Sequence, residues 1–76
     1  MMNHVYADFN NCDAQGRIRL NTAGSIDDME TQNIRLSDGM ILTIYSEDLE
    51  ATGVARELAE GGWGVELDWE AVRDRE

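Results

Sequence analysis

Ser37-Asp38-Gly39-Met40-Ile41-Leu42-Thr43-Ile44-Tyr45 decides the fold. Read with a period of two, Met40, Leu42 and Ile44 occupy one face, and Ile41, Thr43 and Tyr45 the other. A strand exposed on one side alternates apolar with polar residues. This one is apolar on nearly both sides and rich in β-branched and aromatic residues. It therefore reads as a central strand covered front and back, entered through the Ser37-Asp38-Gly39 turn. The rest of the chain is placed by asking what covers it.

Upstream, Val5, Ala7 and Phe9 alternate with Tyr6 and Asp8, which predicts a strand over 4–9. Residues 10–16, Asn-Asn-Cys-Asp-Ala-Gln-Gly, form a turn-rich segment. Ile18, Leu20 and Thr22 then alternate with Arg17, Arg19 and Asn21, so strand, turn and strand predict an antiparallel hairpin. Arg17 and Arg19 are expected to face Asp8 across it as ion pairs. Ala23-Gly24 breaks the strand, and Ser25 with Asp28 resembles a capping box. A short helix is expected over 26–32, docked through Ile26 and Met29, with Asp27, Asp28 and Glu30 favoured by the dipole at its start, and ended by Asn33.

Downstream, two readings of 46–60 compete. A helix capped by Ser46 would contain Gly53 and the β-branched Thr52 and Val54. The alternative is a loop at 46–50, a strand at 51–59, a turn at Glu60-Gly61-Gly62 and a strand at 63–69. The Gly-Gly turn and the alternation of Trp63, Val65, Leu67 and Trp69 favour the second. A helical turn through Glu70-Ala71-Val72 closes the chain, with Val72 folded back as a plug and residues 73–76 fraying. The expected fold is mainly β: a small SH3-like antiparallel barrel of about five strands. One short helix lies between strands 2 and 3, and a C-terminal helical turn completes the single domain 1–76.

Seventy-six residues bury only about 60–65% of their surface on folding, so a domain of this size commonly needs a staple or a partner. Cys12 is the only cysteine and His4 the only histidine, which excludes an internal disulfide and zinc-ligand spacing. The sixteen acidic residues face six arginines and no lysine, for a net charge of −10. Such a field repels phosphate, so neither nucleic acid nor an anionic membrane is an expected partner. The N-terminus lacks the basic and apolar regions of a signal peptide, and the lone thiol fits a cytoplasmic location.

Tyr6-Ala7-Asp8-Phe9, Asp13-Ala14-Gln15-Gly16-Arg17-Ile18-Arg19-Leu20, Gly24-Ser25 with Asp28 and Met29, Ser37-Asp38-Gly39-Met40, and Leu67-Asp68-Trp69 with Val72 together resemble a family of short bacterial proteins without an assigned function. The resemblance covers most of the chain. It implies a cytosolic all-β small domain with a hairpin before the Asp-Trp pair, and it implies no activity. The chain departs from the family pattern in a shorter connection between Tyr45 and Gly53 and around Gly61-Gly62.

Nothing in the pattern calls for a cofactor or a metal. Asp8, Asn10, Asn11, Asp13 and Gln15 crowd oxygens together, but a calcium loop starting at Asn11 would put Thr22 at its twelfth position. Cys12 has a carboxylate neighbour where a nucleophilic thiol needs a positive one. Trp63 and Trp69 are about 20 Å apart along an extended strand, so core packing is expected of at least one. The alternative is an aromatic peptide platform with Tyr6 and Tyr45. The expected function is non-enzymatic: association with a protein partner or with itself as a homo-oligomer, with Tyr6, Ile41, Tyr45 and Trp63 as the candidate contact residues. A small acidic regulator of a basic partner, including a DNA mimic, is the other candidate.

Overall fold

A computed structural model describes residues 3–74 of the chain. In order, the elements are β1 (His4–Tyr6), β2 (Ile18–Arg19), α1 (Ala23–Thr31), β3 (Ile41–Tyr45), β4 (Leu49–Glu57), β5 (Trp63–Leu67), a 3-10 turn (Trp69–Ala71) and β6 (Arg73–Asp74). The strands form one curled half-barrel sheet of order β1-β3-β4-β5-β2, with β6 added on β4. This is the mainly β architecture expected, in keeping with a small SH3-like barrel, with its helix between β2 and β3 and a terminal helical turn.

Strands β3, β4 and β5 form an antiparallel meander, with Ile41 opposite Val54, Leu42 opposite Gly53, and Gly53 in turn opposite Leu67. The strand reading of 51–59 is thus the one the chain adopts, although β4 begins two residues earlier. It changes partner along its length. Leu49 and Glu50 pair with β6, and Gly53–Glu57 pair with β5. Its concave-face residues Ala51, Gly53 and Ala55 are buried. Their small size gives the sheet room to curl over Val5, Ile18, Leu42, Ile44 and Val65, each 0–1% exposed. At Gly53 the approach is closest, because a Cβ there would lie 2.5 Å from Val65 Cγ1 and 2.7 Å from the Glu66 carbonyl.

The expected hairpin between the first two strands does not form. Residues 4–6 pair in parallel with β3, in the register His4–Thr43, Val5–Ile44 and Tyr6–Tyr45. Residues 18–19 pair with β5 instead. The segment between them turns back at Asp8–Asn11 and lays Cys12 against Ile18. Arg17 and Arg19 consequently meet Glu66 (3.9 Å) and Glu60 (2.7 Å), not Asp8.

The helix also begins earlier than expected. Thr22 is its cap, accepting the Ser25 N–H at 3.1 Å, so Ala23 and Gly24 open the helix and do not merely break a strand. Asp27, Asp28 and Glu30 therefore lie beyond the first turn, away from the positive end of the dipole. Asn33 does end it, at φ 57, with its N–H on the Glu30 carbonyl and that of Ile34 on Met29, a Schellman closure. Met29 packs on the core, but Ile26 is 47% exposed, and the buried residue of the helix is Ser25. The docked face is polar where an apolar stripe was expected. At the other end, Val72 packs against the core as the plug reading required. Arg73 and Asp74 pair with β4 and do not fray, while Arg75 and Glu76 lie outside the described residues.

The 40–45 stretch supplies an interior strand, between β1 and β4, but it is not covered front and back as its pattern predicts. Leu42, Thr43 and Ile44 are buried, whereas Ile41 stands 68% exposed. Substituting Gly53→Ala should cost on the order of 1–3 kcal/mol of stability by forcing β4 away from β5. Urea denaturation of the variant, with an unchanged m-value, checks this.

Candidate functional site

Parity along the strands sorts the four candidate contact residues. Tyr6 and Tyr45 are register partners, and Ile41 lies on the same outer face of β3. Trp63 lies on the opposite, inner face with Val65 and Leu67, half-buried against the core. The outer face thus gathers three of the four and leaves Trp63 out. Trp69 leaves the strand altogether. It opens the 3-10 turn, packs edge-on against Phe9 with centroids 6.4 Å apart, and remains 45% exposed.

The two tyrosines meet edge to face, with centroids 5.8 Å apart and planes at 83°. Each hydroxyl donates to a carboxylate. Tyr6 reaches both oxygens of Glu47, at 3.2 and 3.3 Å, and Tyr45 reaches Oδ2 of Asp28. The hydrogen bond to Glu47 is the chief reason that the Tyr6 phenol is held above its ordinary pKa, with burial and the charges of Glu47 and Asp8 adding to it. Tyr6 is therefore a fixed proton donor at neutral pH and no base.

The same corner shows how the helix is held. In β1, Val5 turns its backbone toward β3. Around it, Thr43 N–H bonds to Asn3 O and Ala7 N–H to Tyr45 O, both at 2.9 Å. The backbone groups of His4 and Tyr6 point the other way, to the outer edge. Side chains of α1 and of its C-cap residue, Gln32, meet them there. Tyr6 N–H donates to Asp28 Oδ2 at 2.9 Å, Ser25 Oγ donates to the Tyr6 carbonyl, and Gln32 Nε2 donates to the His4 carbonyl at 2.7 Å. Four helical residues rise about 6 Å and two strand residues about 6.6 Å, so Asp28 and Gln32 match Tyr6 and His4. Gly24 lets the Tyr6 ring lie against the helix, since a Cβ there would be 2.7 Å from Cδ2 of that ring. Ser25, Asp28 and Gln32 were not singled out as contact residues in the sequence. The available signal was their i, i+3, i+7 spacing.

The oxygen-rich turn is engaged with its own backbone. Asp8 Oδ1 accepts from Asn10 N–H, and Asp13 Oδ1 accepts from Gln15 N–H and Arg17 N–H, each at 2.9 Å. Among the described residues no group of three His, Cys, Asp or Glu side chains is arranged to hold a metal. Cys12 Sγ donates to the Phe9 carbonyl, while His4 sits on the far edge strand of the sheet. Burial first, and then the charge of Asp13, pushes the thiol above its ordinary pKa despite the opposing Arg19. An open groove of about 170 Å³ lies between Asp13, Ala14, Gln15, Ala59 and Glu60, below the ~300 Å³ at which small-molecule sites begin. Among the described residues, no helix is long and apolar enough to cross a membrane.

No family model, curated protein or solved structure matches the chain.

Two titrations follow from this geometry. The Asp13 carboxyl is held below its ordinary 3.8, chiefly by the Arg17 N–H, so its folded pKa lies under its unfolded one. Its contribution is complete above the unfolded pKa and is lost as pH falls through the folded one. Asp13→Asn should therefore flatten the fall in stability below about pH 4, measured by denaturation at stepped pH. Cys12, held protonated, should alkylate more slowly at pH 8 in the native chain than in urea, as followed by mass spectrometry.

Proposed function

We propose that the chain is a non-enzymatic association module that pairs with a second copy through the outer face of its sheet, centred on Ile41. The observation that carries this reading is the exposure of Ile41, 68% on an interior strand of the sheet. Its immediate neighbours Leu42, Thr43 and Ile44 are buried, so the side chain is presented from an anchored backbone and not from a loop tip. Val54, its register partner, is only partly covered and extends the apolar spot across β4. Covering one isoleucine removes roughly 1.5–3 kcal/mol of unfavourable hydration per copy, and a two-fold contact counts it twice. The small size of the domain adds to the case, because its own core leaves little margin.

A second reading, a small acidic regulator of a basic partner, draws on the arginines. Arg17, Arg19, Arg56 and Arg73 are each tied to an acidic residue of the chain's own surface, within a net charge of −10. That binding would weaken steeply with added salt, whereas an apolar self-contact would not.

Sedimentation equilibrium at micromolar concentration decides between them. The native chain is expected to show a dimer at both low and high salt, and Ile41→Asp a monomer that keeps its sheet but whose unfolding midpoint no longer rises with protein concentration. A strictly monomeric native chain defeats self-association.

A further inference from the structure

Asp38-Gly39 is the one place in the chain where an Asp or Asn precedes a glycine. A glycine nitrogen has no Cβ beside it to hinder approach, so it can attack the neighbouring carboxyl. The pair occupies the middle of the turn 37–40, closed by Met40 N–H on the Ser37 carbonyl at 3.0 Å, with Gly39 at φ 92. Both residues are exposed, and a Cβ built at Gly39 would meet nothing within 4 Å, so water has access and a ring has room. Every group that would react is nevertheless engaged with β4. Gly39 N–H donates to the Ala55 carbonyl at 2.8 Å, Asp38 Oδ1 accepts the Glu57 N–H at 3.2 Å, and Oδ2 accepts from Arg56 Nη1 at 3.3 Å.

We infer that Asp38-Gly39 is a site of spontaneous covalent modification, to isoaspartate, which these three contacts hold shut in the folded chain. In the first step the carboxyl takes up a proton and the Gly39 nitrogen bonds to Asp38 Cγ. Water leaves with the amide hydrogen, giving a succinimide. Water then adds to the former backbone carbonyl of Asp38, delivering hydroxyl to carbon and hydrogen to the Gly39 nitrogen as the bond between them breaks. The freed carboxyl returns the proton. Water alone leaves and enters, so the mass is unchanged, but the backbone now runs through Cβ and Cγ and is longer by one methylene. That extra length falls beside the bonds that start the β3–β4 ladder, Gly39 N–H to Ala55 O and Ala55 N–H to Met40 O at 2.7 Å. An altered copy therefore refolds with a weakened junction at the entry to β3. The site does not depend on how the chain associates.

The test incubates the full chain at neutral pH, folded in buffer and unfolded in urea, and follows the tryptic fragment that carries the bond. Chromatography separates its aspartyl and isoaspartyl forms. Isoaspartate is expected to accumulate in urea, and at least about tenfold more slowly in the folded chain. Arg56→Ala removes the contact to Oδ2 and is expected to raise the folded rate several-fold while leaving the urea rate as it was. Glu66→Gln removes the guanidinium's other close partner and keeps Asp38 paired, so it should change neither rate. Absence of isoaspartate in urea overturns the site, and equal rates in buffer and urea overturn the protection. An Arg56→Ala chain no faster than Glu66→Gln overturns the part given to the turn contacts. Should Arg56→Ala fail to fold, the comparison of the native chain in buffer and in urea decides alone.

Discussion

An unpaired strand edge has to be satisfied by something, and in this chain that requirement organises the N-terminal half. A sheet that starts with a three-residue strand has backbone donors and acceptors facing outward at its rim. Here a helix runs alongside and answers them with side chains, using the near-coincidence of one helical turn with two strand residues. That arrangement explains several features at once. The docked face of the helix is polar, Ile26 is left outside, Gly24 sits where the Tyr6 ring must approach, and Asp28 serves both a backbone amide and the Tyr45 hydroxyl.

The opposite rim is closed by different means. Beyond β2, the returning segment supplies backbone to backbone: Asp13 N–H to Arg17 O at 2.9 Å and Arg19 N–H to Asn11 O at 2.8 Å. Arg19 then clamps this flank, reaching the Cys12 carbonyl at 2.7 Å while its guanidinium pairs with Glu60 of the β4–β5 turn. Between the two rims the small concave residues of β4 allow the curl that brings Val5, Ile18, Ile44 and Val65 into one core. Both edges and the curvature are solved locally, in residues that contribute little apolar area themselves.

Which parts of this were legible beforehand follows from the range of the signals. The meander of β3, β4 and β5 could be read because its evidence is short-range. It lies in the alternation at Met40–Tyr45 and Trp63–Leu67, with Gly61 and Gly62 at positive φ between the last two strands. The partner of β1 could not be read. A parallel pairing to a strand far along the chain leaves no turn to announce it, and adjacent alternating segments suggest a hairpin by default. The helix start was misplaced because Thr22 and Ser25 are both competent caps, and only the tertiary contact of Ser25 with the Tyr6 carbonyl distinguishes them. Of the outer-face residues, Tyr6, Tyr45 and Ile41 were identifiable as aromatic or apolar residues in strands. Trp63 does not belong with them, and its own segment says so: it alternates in step with Val65 and Leu67, against Gly64 and Glu66, which sets it on the inner face.

The parallel pairing of β1 with β3 also bears on how the molecule assembles. Thr43 lies about forty residues beyond His4, so closing that pair carries a large chain-entropy term, whereas β3, β4 and β5 meet through short turns. The β3–β5 meander is thus the segment able to nucleate, and the parallel pairing of β1 closes after it.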